Sequence, residues 1–153
     1  MKIGVTGATG QLGRLVVESL KSKVSAETIV ALVRNPEKAA DFGIEARTFD
    51  YTQAENLVAS LKGIDKLLLI SGNEVGQRLP QHLAVIDAAK QAGVKQLFYT
   101  SILHADSSPL GLATEHLATE VAIKESGLTY TILRNGWYTE NYTGSVPLVQ
   151  EHL

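Results

Sequence analysis

The sequence predicts an α/β fold, a doubly wound parallel sheet with strand order 3-2-1-4-5-6. Three observations predict it. The 153 residues suit one domain with its own core, which we place at residues 1–153. Short β-rich apolar runs alternate with longer amphipathic runs, a pattern that requires right-handed crossovers between parallel strands. The first apolar run leads directly into a glycine-rich turn, GVTGATGQLG at residues 4–13.

The first half of the chain is predicted to contain three strands, at residues 1–7, 28–34 and 44–51. Each is a short run rich in β-branched, aromatic or alternating apolar residues. A helix over 11–23 follows the first strand because apolar side chains recur there at helical spacing, at Leu12, Leu15, Val16 and Leu20. Pro36 opens a short helix, at a position where proline is favoured.

The second half is predicted to contain strands at residues 65–71, 94–101 and 128–134. The run DKLLLIS, at 65–71, is nearly all apolar, as expected for a strand buried on both faces. Three helices separate the strands. The first contains Leu57 and Leu61 and stops at Gly63, the second covers 80–91 with Leu79, Leu83 and Ile86 in step, and the third covers 112–126.

Composition limits the classes of function. The net charge of −2 offers no basic excess to neutralise phosphates, so we expect no nucleic-acid partner. The absence of cysteine excludes disulfides, thiolate metal sites and cysteine nucleophiles. The four histidines and the carboxylates lack metal-ligand spacing, so no metal site is predicted. No apolar run approaches the roughly 20 residues of a membrane helix, and no signal peptide is evident, so the predicted location is cytoplasmic.

The glycines of the first turn, Gly7, Gly10 and Gly13, point to a bound dinucleotide. The first permits a tight turn, the second lets backbone N–H groups approach a pyrophosphate, and the third lets the helix pack close to the strand. The N-terminus of that helix then faces the anion with free N–H groups. A glycine-rich turn without a ligand is the alternative, but the strand–turn–helix context favours nucleotide binding.

The end of the second strand predicts NADP(H) rather than NAD(H). An NAD site usually has a carboxylate there to hold the ribose 2′-hydroxyl, whereas this chain has Arg34. A guanidinium can bind a 2′-phosphate with two hydrogen bonds, and Lys38 can add a second positive charge. An ordinary surface arginine is the alternative.

Polar residues end the third and fourth strands, at the sheet edge where ligands bind in such folds. Asp50 could accept a hydrogen bond from the adenine amino group, or it could simply stabilise a turn. Ser71, Gly72 and Asn73 suit a backbone that passes close to the cofactor, although a plain turn would use the same residue types.

Five segments together resemble the NmrA-like, atypical short-chain dehydrogenase/reductase family, and most closely its NADPH-dependent quinone reductase branch. They are GATGQLG, LVRNPEKA, KLLLISGNEVGQR, YTSILHAD and LRNGWYTENY, and the resemblance extends over essentially the whole chain. The segments ILHADSSPLG and RNGWYTENY are the most specific. The family's fold continues with a C-terminal substrate lobe, which we expect to be absent from these 153 residues.

The resemblance implies three groups of cofactor-binding residues. The pyrophosphate would be bound by Gly7, Ala8, Thr9, Gly10, Gln11 and Leu12. Arg34 would bind the adenosine end, and residues 71–73 would line the cofactor. The nicotinamide side would be lined by Gly136, Trp137, Tyr138, Thr139, Glu140 and Asn141. A small quinone-like molecule is the implied substrate, and a homodimer is expected by analogy with the fold.

The candidate catalytic residues are Asn141, Tyr138 and His104. The Tyr-x-x-x-Lys pair of ordinary short-chain dehydrogenases is replaced by Leu112 and His116, so alcohol oxidation by that pair is not expected. Quinone reduction needs less help: an acceptor stacked on the nicotinamide, one polarised carbonyl and excluded water. The Asn141 amide could bond a carbonyl, Tyr138 and Trp137 could wall the acceptor, and His104 could donate a proton near neutral pH.

Each of these residues has a plainer interpretation. Asn141 could cap a helix, Trp137 could be a core or interface aromatic, and His104 could be a surface-loop residue. His116 and Glu120 could simply pair on a helix surface.

Together, the cofactor site and the resemblance predict an NADPH-dependent quinone reductase. The alternatives are a non-catalytic NADP(H)-binding redox sensor and a different dehydrogenase or epimerase on the same fold.

Overall fold

The computed structural model describes residues 1–143, and the last part of the predicted domain, residues 144–153, lies outside the described residues. The described chain forms one sheet of six strands, all paired in parallel, in the order β3-β2-β1-β4-β5-β6. The predicted fold class and strand order are therefore confirmed. The strands are β1 (Ile3–Thr6), β2 (Ile29–Val33), β3 (Glu45–Thr48), β4 (Lys66–Leu69), β5 (Gln96–Ile102) and β6 (Thr129–Asn135).

Helices connect the strands as the alternating pattern predicted. They are α1 (Gln11–Lys21), α2 (Ala54–Ser60), α3 (Arg78–Ala92), α4 (Gly111–Glu125) and the short α5 (Glu140–Thr143). Two 3₁₀ segments, Ala26–Thr28 and Pro36–Phe42, flank β2. Pro36 opens the second of these, as predicted.

Two apolar cores lie on opposite faces of the sheet. The larger includes Leu67, Leu97 and Tyr99 from β4 and β5, together with side chains of α2, α3 and α4. The smaller includes Val5 of β1 and Val17 of α1, with the 3₁₀ segment after β2. Burying both faces of the central strands is what makes their sequences almost continuously apolar.

Two leucines of the predicted apolar helix faces are exposed. Leu15 of α1 is 65% exposed, and the inward position on that helix is occupied by Val17. Leu83 of α3 is 43% exposed, because polar residues such as His82 take the inward face of that helix. Apolar periodicity therefore includes one exposed leucine in each helix, although Ile86, Val16 and Leu20 of the same predicted faces do pack in the cores.

No helix within residues 1–143 is both long and apolar enough to cross a membrane.

Candidate functional site

The turn between β1 and α1 is built so tightly that each of its three glycines has a steric reason. Gly7 adopts the left-handed region, with φ of 58°. A Cβ on Gly10 would lie 3.3 Å from the Gly7 carbonyl oxygen. A Cβ on Gly13 would lie 2.1 Å from that same oxygen, so α1 packs directly on the turn only because Gly13 has no side chain.

The N-terminus of α1 is open to a ligand. Gly10 is its N-cap residue and has no side chain to cap the helix, and no side chain within residues 1–143 caps it instead. The first-turn N–H groups are therefore available, and the positive end of the helix dipole favours an anion there.

A first cleft of about 390 Å³ lies on one side of this turn, at the carboxyl ends of the central strands. It brings together many of the predicted cofactor-binding residues: Gly7, Thr9, Gly10, Arg34, Lys38, Asp50, Ser71, Gly72 and Asn73. Two further predicted residues, Ala8 and Gly13, are buried in the turn itself. The cleft is where a doubly wound sheet binds its ligand, at the switch between β1 and β4.

Charges of both signs line the first cleft. Arg34 follows β2 directly, and its side chain is 74% exposed. The Arg34 Nη1 lies 4.0 Å from the Glu74 carboxylate on the opposite wall. Lys38 is exposed on the 3₁₀ segment one turn further on. No carboxylate stands directly after β2, where a 2′-hydroxyl would need one.

Asp50 stabilises the turn after β3. Its Oδ1 accepts the Thr52 N–H at 2.9 Å and the Thr52 hydroxyl at 2.7 Å. The hydrogen bond from the Thr52 amide, followed by that from its hydroxyl, holds the pKa of Asp50 below its ordinary value. The turn role is thus present in the structure, while the carboxylate still lines the cleft and can face a ligand.

The backbone that continues β4 into the cleft is held by side chains of other elements. The N–H of Ile70 donates to Thr6 Oγ1 at 2.9 Å, and the N–H of Ser71 donates to Thr100 Oγ1 at 2.8 Å. Both threonines are buried at the ends of β1 and β5. The wall formed by Ser71 is therefore fixed in place before any ligand arrives.

A second cleft, of about 440 Å³, lies between α1 and the chain that follows β6. Its lining includes five of the six residues predicted for the nicotinamide side: Gly136, Trp137, Tyr138, Thr139 and Glu140. Gln11 and Leu12, predicted for the pyrophosphate, line it as well. The exposed Leu15 also lines it, which explains why that leucine is not in the core.

The three candidate catalytic residues are not all in one place. Tyr138 lines the second cleft, and its hydroxyl accepts a hydrogen bond from Asn135 Nδ2 at 3.1 Å. Asn141 is exposed on α5 and lines neither cleft. His104 is also exposed and outside both clefts, and it adopts a left-handed backbone with φ of 57° that lets its carbonyl accept the Ser107 and Ser108 N–H groups.

The predicted surface pairing of His116 with Glu120 is wrong. Both residues are buried between α4 and the sheet, because α4 presents a polar face inward. His116 Nδ1 lies 2.6 Å from the Tyr99 hydroxyl, whereas the Glu120 carboxylate accepts from Ser101 at 2.6 Å and from Arg134 at 2.7 Å. Sequence analysis missed this network because buried polar residues leave no periodic signal on a helix.

Comparison with known proteins agrees with a dinucleotide-binding site at the glycine turn. Residues 7–153 match a family described as NAD(P)H-binding, which is nearly the whole chain and includes the glycine turn and both clefts. The chain belongs to this NAD(P)H-binding family.

Two curated oxidoreductases are similar in sequence to this NAD(P)H-binding chain. Quinone oxidoreductase 2 of Escherichia coli K12 is 59% identical over 153 residues, a match that covers 98% of this chain and 54% of that protein. The NmrA-like family domain-containing oxidoreductase flvB of Aspergillus flavus is 35% identical, over 93% of this chain and 50% of its own. The chain spans about half the length of these curated relatives, and the NmrA-like resemblance is confirmed.

Solved structures agree with the fold. The NADPH-dependent quinone oxidoreductase of Escherichia coli, determined in complex with NADPH, superposes with a TM-score of 0.93 at 58% identity, over 98% of this chain and 54% of that one. The triphenylmethane reductase of a Citrobacter species, in complex with NADP(H), gives a TM-score of 0.94 at 44% identity, over 99% of this chain and 55% of that one.

Proposed function

We propose that this chain is the cofactor-binding part of an NADPH-dependent oxidoreductase that transfers hydride to a quinone or a similar electrophilic acceptor. The observation that carries the proposal is Arg34, an exposed arginine that lines the first cleft where an NAD site would have a carboxylate. The similarity to a quinone reductase and to two reductases solved with NADPH or NADP(H) supports the same conclusion.

The shape of the site fits a dinucleotide. The glycine turn lies between the two clefts, since Thr9 and Gly10 line the first and Gln11 and Leu12 line the second. A pyrophosphate at the uncapped start of α1 would therefore have the adenosine half in the first cleft and the nicotinamide half in the second. A Cβ at Gly10 or Gly13 would press on the Gly7 carbonyl oxygen and so displace the turn that forms this site.

Bound NADPH supplies the hydride, and the chain's own residues would position the acceptor. Trp137 and Tyr138 offer partly exposed aromatic surfaces on the second cleft, against which a flat acceptor can lie. The Tyr138 oxygen already accepts from Asn135, so its own O–H remains free to donate to a carbonyl. Asn141 and His104 stay in the proposal as further donors, from α5 and from the loop after β5.

A non-catalytic NADP(H) sensor is the second candidate. The observation that favours it is α4, where Leu112 and His116 replace the tyrosine and lysine of ordinary dehydrogenases, and where the His116 ring is buried against Tyr99. A sensor would bind NADP⁺ and NADPH with different affinities and would leave quinones unchanged. We further propose a cytoplasmic location and a homodimeric assembly for the whole protein.

The decay of nicotinamide absorbance with NADPH and benzoquinone, corrected for the uncatalysed reaction, tests the proposal. We expect a protein-dependent decay that slows in Tyr138→Phe, because the Tyr138 hydroxyl is a donor on the second cleft. Tyr142→Phe is the matched control, since Tyr142 is 69% exposed and outside both clefts. A chain that binds NADPH tightly and reduces no quinone would favour the sensor instead.

Replacement of Arg34 by alanine tests the choice of cofactor. Loss of a charge-assisted, two-pronged contact should weaken NADPH binding by about 10- to 100-fold and leave NADH binding nearly unchanged. Binding is measured by titration of nicotinamide fluorescence. Lys23→Ala removes the same charge from an exposed site outside both clefts and should change neither affinity. An equal loss for both cofactors would refute the 2′-phosphate contact.

A further inference from the structure

Gly72 is held by one helix through both its N–H and its carbonyl oxygen. Its N–H donates to His82 Nε2 at 3.0 Å, and its carbonyl oxygen accepts from Arg78 Nε at 2.6 Å. Both side chains come from the first half of α3, and both are buried, His82 completely. Gly72 follows the last residue of β4 by three positions and makes no hydrogen bond to another backbone group within residues 1–143.

The direction of these hydrogen bonds fixes the state of His82. The Gly72 amide is a donor, so Nε2 must accept and Nδ1 must carry the ring proton. That proton points to Thr119 Oγ1 at 3.1 Å, and the Thr119 hydroxyl in turn donates to the Glu115 carbonyl of α4 at 2.8 Å. Burial, reinforced by the charge of Arg78, lowers the pKa of His82 to about 3, which keeps the ring neutral. The acceptor that Gly72 needs is therefore present throughout the neutral range.

Arg78 extends the same hold to the far end of the loop. Its Nη1 lies 3.0 Å from Glu115 Oε2, with both side chains largely buried. The other carboxylate oxygen of Glu115 accepts the Gly76 N–H at 3.0 Å. The loop from Gly72 to Gly76 includes three residues of the first cleft's wall, Gly72, Asn73 and Glu74, and it is thus tied at both ends to α3 and α4.

Burying the Arg78 side chain costs free energy unless its charge is well partnered. A buried guanidinium loses its hydration, and this loss is offset only by well-formed partners. Here the partners are the backbone carbonyl of Gly72 and a carboxylate that itself holds the loop, rather than groups within the apolar core. Gly72 lies on the wall of the first cleft, so the orientation of its two flanking peptide groups sets which backbone groups a ligand meets.

We propose that His82 and Arg78 are positioning residues that fix the backbone of Gly72 and of the loop 72–76 in the orientation that the dinucleotide needs in the first cleft. The inference rests on the proposed NADPH binding. A wall that is already ordered does not have to be ordered when the ligand binds, so its preorganisation appears as affinity. Neither residue touches the reacting atoms, and both act through the backbone that they hold.

His82→Phe tests the role, with His116→Phe as the matched control. Both histidines are buried, but His82 bonds to Gly72 of the cleft wall, whereas His116 bonds to Tyr99, which does not line the cleft. We expect both variants to lower the thermal midpoint, and only His82→Phe to weaken NADPH binding, by about tenfold. His82→Gln, which retains an acceptor oxygen, should recover part of the affinity. Amide hydrogen exchange should show a slow Gly72 N–H that becomes fast in His82→Phe alone.

Arg78→Lys provides a second route if His82→Phe does not fold. A lysine retains the charge but cannot hold both the Gly72 carbonyl and Glu115 with a planar fork, so the same tenfold loss of NADPH affinity is expected. NADPH affinity that is unchanged in either folded variant, or equal losses in His82→Phe and His116→Phe, would overturn the positioning role. Failure of the unsubstituted chain to bind NADPH would instead refute the proposed cofactor, and with it this role.

Discussion

Gly13 has less room than any other glycine of the first turn. The nearest atoms to a Cβ there belong to the backbone of Gly7 and Ala8, at 2.1 and 2.6 Å, so no side-chain rotation can relieve the contact. The start of α1 and the turn would have to separate. That turn also forms the boundary between the two clefts, so a substitution at Gly13 would change both the stability of the fold and the shape of the clefts.

Gly13→Ala should therefore destabilise the fold, although alanine is the better helix former. We expect a loss of about 1–3 kcal/mol in the free energy of unfolding, measured by urea denaturation. Gly111→Ala is the matched control, because that glycine also lies in the first turn of an α-helix and a Cβ there meets nothing within 4 Å. The control should be neutral or stabilising by up to about 1 kcal/mol. Equal effects of the two substitutions would contradict the steric explanation.

At the scale of single residues, the sequence predicts the residues that line the clefts better than the buried side chains that hold those residues in place. Glycines and Arg34 lie next to strand ends, and position along the chain was enough to place them at the sheet edge. His82, Arg78 and Thr119 could not be identified in this way. Their role depends on which face of α3 or α4 turns inward, and that is decided by partners from distant parts of the chain.

Helix α4 is fastened to the sheet by a charged group rather than by apolar contacts alone. Glu120 is fully buried and accepts hydrogen bonds from Ser101 of β5 and Arg134 of β6. Burial alone would raise the pKa of Glu120, but the hydrogen bonds from Arg134 and Ser101 outweigh it and hold the pKa below its ordinary value. The carboxylate thus joins one helix to two strands.

Glu120→Gln should loosen this joint. Arg134 donates to both oxygens of Glu120 and cannot accept, so the new NH2 group meets a donor in either orientation and at least one buried hydrogen bond is lost. We expect the free energy of unfolding to fall by about 1–3 kcal/mol, measured by chemical denaturation. Glu125→Gln, on the exposed side of the same helix, should stay within about 0.5 kcal/mol. A small effect of both would mean that apolar packing alone holds α4.

The elements themselves were largely predictable, and the differences at their ends have local causes. Helix α3 begins at Arg78, two residues before the predicted start at Pro80. Proline has no N–H, but the N–H groups of the first turn have no partner within the helix, so Pro80 fits inside that turn as well as at its start. Strand β3 ends at Thr48, well before the predicted residue 51, because the Asp50 side chain bonds Thr52 and turns the chain. Side-chain turn chemistry of this kind does not alter hydrophobic periodicity.

Across the whole molecule, two buried neutral histidines tie stability to pH. Burial, with the charge of Arg78, lowers the pKa of His82 to about 3 and that of His116 to about 4. In the unfolded chain both would titrate near 6.5. Below that pH the unfolded state binds more protons than the folded state, so stability falls as the pH falls from 6.5 towards the folded values.

We expect the free energy of unfolding to drop by about 1.4 kcal/mol per pH unit for each of the two histidines between pH 6 and pH 4.5. Urea denaturation at a series of pH values measures this slope. Carboxylates with lowered pKa, such as Asp50 and Glu120, add a further loss only near and below their ordinary values. The double variant His82→Gln, His116→Gln should flatten the upper part of the profile, and an unchanged slope would contradict the assignment.

The strand order has a consequence for how the chain folds. On one side β1 pairs with β2, its near neighbour in sequence, but on the other side it pairs with β4, with Ile3 opposite Lys66. During synthesis one edge of the first strand therefore waits for a distant partner, and such non-local closure is a slow step. The first cleft has walls from both sides of this pairing, so it exists only once β4 has docked. A ligand that binds there can stabilise the finished sheet, but it cannot guide the earlier stages of its assembly.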